Sequence, residues 1–459
     1  MELQQETEKR AGTAGMDLTE GSIGKKLLLF FLPLAASTLF QQLYNAVDAI
    51  IVGRYVGTEA LAAVGGSAAT LTNLIVGFFT ALTGGASVVI AQLFGGKKQE
   101  QLRRATGTAV TLCLILGLVL TVFCVALAPT MLRWLKTPED TLQDATDYLR
   151  IYFSACAVVL VLNIESGILR AVGDARRPFL FMLAACILNI VLDYVFVVYF
   201  HWGVKGVAYA TILSQFLNLV LLTVSLLRCK EAYGLRLKYL GLDSALIKRM
   251  MRIGIPASLE ASMYNVSNML LQVAVNSLNT VVVASWSLSG KLDGFYWAVS
   301  NAAGMAVVSF AGQNYGAGKM DRVRRCTKIG LTMFLPVTVV LTSLILLFAP
   351  TLLPIFNPDI AVQETTYRII LYFVPYYFLW TTVEILSGTL KGCGEVKVPV
   401  IITGIGICAF RVLWKYTAFV LSPTLFVLSL CYPISWAMTA AAMFLYYKKG
   451  RWQESLPRG

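Results

Sequence analysis

The sequence predicts an all-α polytopic membrane protein: twelve transmembrane helices in two pseudo-symmetric six-helix bundles around a central cavity. Three observations predict it. Of the 459 residues, 57% are hydrophobic and 14% charged, and the mean hydropathy is +0.70; soluble domains do not have this composition. The apolar residues fall into twelve runs, each long enough for the ~20 residues that a helix needs to cross a bilayer. Finally, the second half of the chain repeats the first at an offset of about 222 residues.

The first 23 residues are polar and charged, so no cleavable signal peptide is expected and the first apolar run is expected to be a spanning helix. The runs have cores at 27–52, 61–93, 105–128, 149–169, 179–200 and 204–227 in the first half. In the second half they lie at 253–278, 281–311, 329–348, 369–390, 398–420 and 425–447. The second and eighth are long and rich in Gly, Ser and Ala, which suits close helix packing in lipid. Lys and Arg set the orientation. With the N-terminus inside, the inner loops carry Lys25, Lys26, Lys97, Lys98, Arg103, Arg104, Arg170, Arg176, Arg177, the basic residues of 228–252, Lys319, Arg322, Arg324, Arg325, Lys328, Lys391, Lys397, Lys448, Lys449 and Arg451. The outer loops keep Arg54, Arg133, Lys136, Arg150, Lys205 and Arg368. Both termini are therefore expected in the cytoplasm.

The repeat shows in matched segments. Residues 90–98 read IAQLFGGKK and 311–319 read AGQNYGAGK, aligning Gln92, Gly95 and Lys98 with Gln313, Gly316 and Lys319. Residues 166–178 (SGILRAVGDARRP) align with 387–399 (SGTLKGCGEVKVP), Pro33 with Pro256, and Asn45 with Asn268. The expected organisation is a cytoplasmic tail over 1–23, one six-helix lobe over 24–228, a charged linker over 229–247, a second lobe over 248–447 and a tail over 448–459. Six crossings return the chain to its starting side, so the lobes are parallel repeats about an axis along the membrane normal.

Against this apolar background a few polar residues stand out. Residues 187–198 read ILNIVLDYVFVV, with Asn189 and Asp193 four apart and so on one helix face. A carboxylate at that depth costs about 2.5–3.5 kcal/mol on insertion scales, and marks an ion or substrate route or a structural pair with a neighbouring helix. In the first helix, Gln41, Tyr44, Asn45 and Asp48 follow i, i+3, i+4, i+7 and form one polar stripe. Counted from the outer ends of their helices, Asp48, Asp193 and Thr211 all lie roughly 10–12 Å deep, and Asn189 lies one turn deeper. Two carboxylates, an amide and a hydroxyl at one level suit a hard monovalent cation. Two neighbouring carboxylates can equally hold and exchange a proton. The residues leave both open.

The second half does not keep this set. Asp48 aligns with Leu271, and Asn189 and Asp193 align with Arg411 and Lys415. Its own acids are Glu260, Asp293 and Glu384, and Glu260 shares a helix face with Tyr264, Ser267 and Asn268. Two basic groups inside a bilayer need partners. The expectation is an ion-pair network in which Glu260 or Glu384 neutralises Arg411 or Lys415, with Lys291 and Asp293 joining it.

Several function classes are excluded. The net charge of +13 sits in loops between spans and does not indicate nucleic acid. The nine cysteines are scattered without metal-ligand or disulfide spacing, and His201 is the only histidine. No nucleophile–base pair, metal cluster or His-rich site supports an enzyme, and no segment has room for a soluble receptor domain.

The chain resembles the multidrug and toxic compound extrusion (MATE) family over essentially all of 24–447, most nearly its bacterial damage-inducible-type branch. The match is carried by Pro33, Asp48 and the following GRYVGTEALAAVG, the loops after Gln92 and Gln313, LRAVGD at 169–174, and Asn189 and Asp193 with Thr211. The resemblance implies antiport, in which inward Na+ or H+ flow drives large, often cationic and aromatic compounds outward. It places the coupling cation at Asp48, Asn189, Asp193 and Thr211 and the drug pocket at Gln41 and Tyr44, and the substrate pocket is expected to include Asn45 and Tyr264 as well. It implies no organic cofactor, no metal beyond Na+, small-molecule drugs and the bilayer as partners, and a monomer. A lipid-linked oligosaccharide flippase shares the twin six-helix architecture. Such flippases tend to line the cavity with Arg and Lys, whereas the polar stripe of the first half is acidic.

Overall fold

The computed structural model describes residues 15–57, 60, 64–135, 137–450 and 452. Residues 1–14 of the N-terminal tail, 58, 59 and 61–63 of the GRYVGTEALAAVG motif, Lys136, and residues 451 and 453–459 of the C-terminal tail lie outside the described residues. The described chain is helical throughout, without strands. In the first half the elements are α1 (Ile23–Ile51), α2 (Ala69–Gly95), α3 (Gln99–Trp134), α4 (Glu139–Ser154), α5 (Cys156–Ala171), α6 (Arg176–Asp193) and α7 (Gly203–Arg228). The second half has α8 (Ser244–Asn276), α9 (Thr280–Gly316), α10 (Met320–Phe356), α11 (Ile360–Phe373), α12 (Tyr377–Gly392), α13 (Lys397–Thr403), α14 (Phe410–Tyr416), α15 (Ala418–Leu421) and α16 (Leu425–Lys449).

Nine helical spans among the described residues are long and apolar enough to cross a membrane, and α4 with α5, bent by 50° at Ala155, make a tenth. The long helices α8 and α9, of 33 and 37 residues, complete the twelve. They are less apolar because α8 opens on Lys248, Arg249 and Arg252 and carries Glu260, while α9 carries Lys291 and Asp293. The helices outrun the apolar cores read from the sequence. The third run, expected at 105–128, is helical from Gln99 to Trp134. The linker is shorter than 229–247, because α8 has already begun at Ser244.

The repeat is visible in the backbone. The α4–α5 break recurs as the 3-10 turn Val374–Tyr376 between α11 and α12, where Pro375 lacks the amide proton a continuous helix would use. Gly173 (φ 84°) and Gly394 (φ 85°) close the corresponding helices, as do Lys97 (φ 55°) and Gly318 (φ 72°) at the earlier repeated loop. These left-handed conformations suit glycine; Lys97 is a costlier occupant of the same turn.

Two compact units form. The first comprises residues up to Leu18 together with Ala36–Ser258; the second comprises Thr19–Ala35 together with Leu259–Gly459. The units therefore differ from the lobes 24–228 and 248–447, since each repeat's first helix is divided. In the first unit the start of α8 is held by Arg249, which donates to Gln92 Oε1 at 2.7 Å. In the second, Lys319 donates to the carbonyl of Thr19 at 3.0 Å and Arg322 to that of Gly21 at 3.0 Å, and Phe31 packs edge-on against Phe334. The first unit's core centres on Leu132, Leu149 and Phe153. That of the second is dominated by Tyr296, Phe373, Tyr377 and Trp436.

Candidate functional site

α6 brings its polar pair into the interior of the first unit. Asn189 and Asp193 are both 0% exposed, and Thr211 on α7 is 4% exposed. In the amide orientation that satisfies both neighbours, Asn189 Nδ2 donates to Asp48 Oδ1 at 3.0 Å and to Asp193 Oδ2 at 3.2 Å. One amide thus bridges two carboxylates, which are themselves within hydrogen-bonding reach of each other. Tyr44, one turn before Asp48 on α1, reaches both Asp48 and Thr211. The Thr211 hydroxyl gives its proton to the Val207 carbonyl at 3.0 Å, which leaves its lone pairs free to accept. Asp193 Oδ1 is buried without a hydrogen-bond partner. The cluster therefore unites Asp48, Asn189, Asp193 and, through Tyr44, Thr211.

Such a cluster has one clear electrostatic character. It holds two carboxylates, one amide and an uncommitted oxygen, with Asn189 and Asp193 fully buried and Asp48 partly so. Two unneutralised negative charges this close are strongly unfavourable in a low-dielectric environment. A proton shared between them or a small hard cation on their oxygens removes that cost. Among the described residues no lysine or arginine forms a salt bridge with either carboxylate.

The other residues singled out by sequence are distributed differently. Gln41 and Asn45 are exposed on α1 and Tyr44 is partly buried. Tyr264, on α8 in the second unit, lies within hydrogen-bonding reach of Arg411 and Asn268. The expected pairing of Glu260 or Glu384 with Arg411 or Lys415 is corrected. Glu260 Oε2 pairs instead with Lys391 Nζ at 2.8 Å. Glu384 is seven residues before Lys391 on α12, hence on the same face, and sits within electrostatic range of both members of that pair. Lys391 thus supplies the positive charge to both acids. Arg411 donates to Asn268 Oδ1 at 3.2 Å and Ser435 Oγ at 3.3 Å, and its guanidinium lies 4.1 Å from the Tyr432 ring centroid. Lys415 lies over Tyr416 at 5.1 Å. Asp293 reaches Tyr377 rather than a cation, and Lys291 is exposed.

Two residues escaped the sequence reading. Tyr148 on α4 stands close enough to feel the charge of both Asp48 and Asp193. Glu165 on α5 is 0% exposed, and the Thr223 hydroxyl lies 2.9 and 2.8 Å from its two oxygens. The available signal for Glu165 was the one that marked Asp193: a lone acid in an apolar helix.

Comparison with known proteins agrees with this architecture. The family model described as MatE matches twice, over residues 33–195 and 256–417, the same repeat that the sequence and backbone display. The chain belongs to the MatE family and is a multi-pass membrane protein. It is similar to Probable multidrug resistance protein YoeA of Bacillus subtilis (strain 168), at 29% identity over 441 residues, covering 93% of this chain and 94% of the relative. Probable multidrug resistance protein NorM of Thermotoga maritima is 24% identical over 394 residues, with 85% of this chain and 84% of the relative covered. Among solved structures, a MOP superfamily transporter from Pyrococcus furiosus superposes with a TM-score of 0.89 at 23% identity, over 95% of this chain and 97% of that one.

Proposed function

We propose that this protein is a secondary active multidrug exporter of the bacterial inner membrane, with both termini cytoplasmic. By alternating access it moves large, often cationic and aromatic compounds outward, against inward flow of Na+ or H+. The observation that carries the reading is the amide of Asn189 bridging the carboxylates of Asp48, partly buried, and Asp193, fully buried. A site built this way is stable when it holds a cation or a proton and unstable when empty. Its occupancy can therefore bias a two-state transporter, since a ligand shifts a conformational equilibrium by its difference in affinity for the two states. Tyr44 lies next to the cluster on α1, so a bound compound near the Gln41–Asn45 stripe would meet the same side chains. The names of the relatives, both multidrug resistance proteins, support the substrate class. No organic cofactor enters this reading, and the unit of transport is a monomer.

The test is transport of a fluorescent organic cation in proteoliposomes, with sodium and proton gradients imposed in turn. Uphill movement driven by one of them is expected. Fluxes equal with and without either gradient would overturn the coupling.

A further inference from the structure

Arg411, at the place of Asn189 in the second half, is a buried charge that the export reading does not use. It is 0% exposed. Nε donates to Ser435 Oγ at 3.3 Å and Nη1 to Asn268 Oδ1 at 3.2 Å, the neutral Tyr264 hydroxyl is also within reach, and Nη2 is buried without a partner. A guanidinium has five donors, and a buried one without a counter-charge is costly. Part of that cost is met by ring faces: Tyr432 at 4.1 Å, Tyr264 at 5.5 Å and Trp436 at 6.0 Å.

The acids of this unit leave it unpaired. Glu260 is tied to Lys391. Asp293 engages Tyr377 and leaves its Oδ1 without a partner, although Tyr432 senses both Asp293 and Arg411. The two opposite charges are joined by rings instead, with Tyr377 on Trp436 at 5.4 Å and Trp436 on Tyr432 at 5.6 Å. A guanidinium with one unpaired nitrogen, set among aromatic faces, is complementary to a planar delocalised anion carried on a ring. Carboxylates match its fork geometry, and rings stack on Tyr and Trp.

We infer that the aromatic cluster of the second unit is a binding site for aromatic carboxylates, which place the anion on Arg411 and the ring against the partly exposed Tyr264 and Tyr432. The site is independent of the cation cluster of the first unit, and the inference does not rest on coupled export.

The test uses the purified full-length protein in detergent, titrated with 2-naphthoate and with its uncharged analogue 2-naphthalenemethanol. Binding is followed by tryptophan fluorescence and by the thermal midpoint. The naphthoate is expected to bind about tenfold tighter than the alcohol or better, the scale of a charge-assisted contact. Arg411→Gln removes that preference, and Arg411→Lys keeps part of it. Because Arg411→Gln can impair folding, Asn268→Asp is the second variant. It puts an internal carboxylate on Arg411, so it should raise the thermal midpoint while abolishing the preference. Equal binding of both compounds to the wild type would overturn the proposal. So would Asn268→Asp binding naphthoate as the wild type does. If Asp293 is the counter-charge of Arg411 in solution, the wild type shows no preference and Asp293→Asn creates one, which likewise overturns it.

Discussion

Glu260 on α8 and Lys391 on α12 form an ion pair of 2.8 Å, with 14% and 27% of the two side chains exposed. Pairs held this way are asymmetric in their energetics. Removing one partner of a buried pair costs about 3–5 kcal/mol because the other is stranded, and the partial exposure of Lys391 lowers that figure. Glu260→Gln should therefore reduce thermal stability in detergent by several degrees. Because Glu384 also leans on Lys391, recovery of most of the loss needs Lys391→Gln and Glu384→Gln together with Glu260→Gln, whereas Glu260→Gln with Arg411→Gln should not recover it. Rescue by Arg411→Gln in place of Lys391→Gln would show the wrong partner has been assigned.

Asp193→Asn removes one charge of the cluster while keeping the shape of the side chain. Folding and membrane insertion should be preserved, because Asn189 can still donate to the side-chain oxygen. Gradient-driven efflux should fall to background. Drug resistance retained at wild-type expression would remove Asp193 from the mechanism.

The contrast between these two sites shows what a sequence can disclose. Asp48, Asn189 and Asp193 were readable because each is expensive in an apolar helix and because depth follows directly from residue count. The twofold repeat was readable from matched segments, and the backbone repeats it at Gly173 and Gly394. The partner of Glu260 was not readable. Lys391 lies in the last turn of its helix, where the positive-inside rule accounts for a lysine without any inward role, and no periodicity links residues on α8 and α12. The π-helical turns at Val52–Val56 and Tyr194–Tyr199, which follow Asp48 and Asp193 on their helices, also leave no mark in composition.

Asn189 is the bridge between the carboxylates, so its loss has a distinct signature. Asn189→Leu deletes both donated hydrogen bonds and leaves Asp48 and Asp193 facing each other. Isothermal titration of sodium, with protonation followed beside it, should show cation affinity reduced at least tenfold, about 1.4 kcal/mol or more. Asn189→Asp adds a third acid and should shift the site toward proton uptake at the expense of sodium. Wild-type affinity in Asn189→Leu would mean the amide plays no part in the site.

Gly84 and Gly85 are adjacent on α2 and offer a test with its own control. A Cβ on Gly85 would meet backbone atoms of α8, with Gly254 Cα and the Met250 carbonyl each 2.6 Å away; a Cβ on Gly254 would meet the Leu82 carbonyl at 2.6 Å. Backbone cannot rotate aside as a side chain does, so the two helices must separate. This is the close approach that small residues permit in lipid, where packing rather than the hydrophobic effect holds helices together. Gly84 faces open space, with nothing within 4 Å of a Cβ. Overpacking of this kind costs about 1–3 kcal/mol and sometimes more. Gly85→Ala and Gly254→Ala should each lower the thermal midpoint and weaken the Arg249–Gln92 contact nearby. Gly84→Ala should equal or exceed the wild type, since Ala is favoured over Gly in a helix by up to about 1 kcal/mol. Equal losses in Gly84→Ala and Gly85→Ala would show that glycine serves these positions through backbone flexibility, not through the contact between α2 and α8.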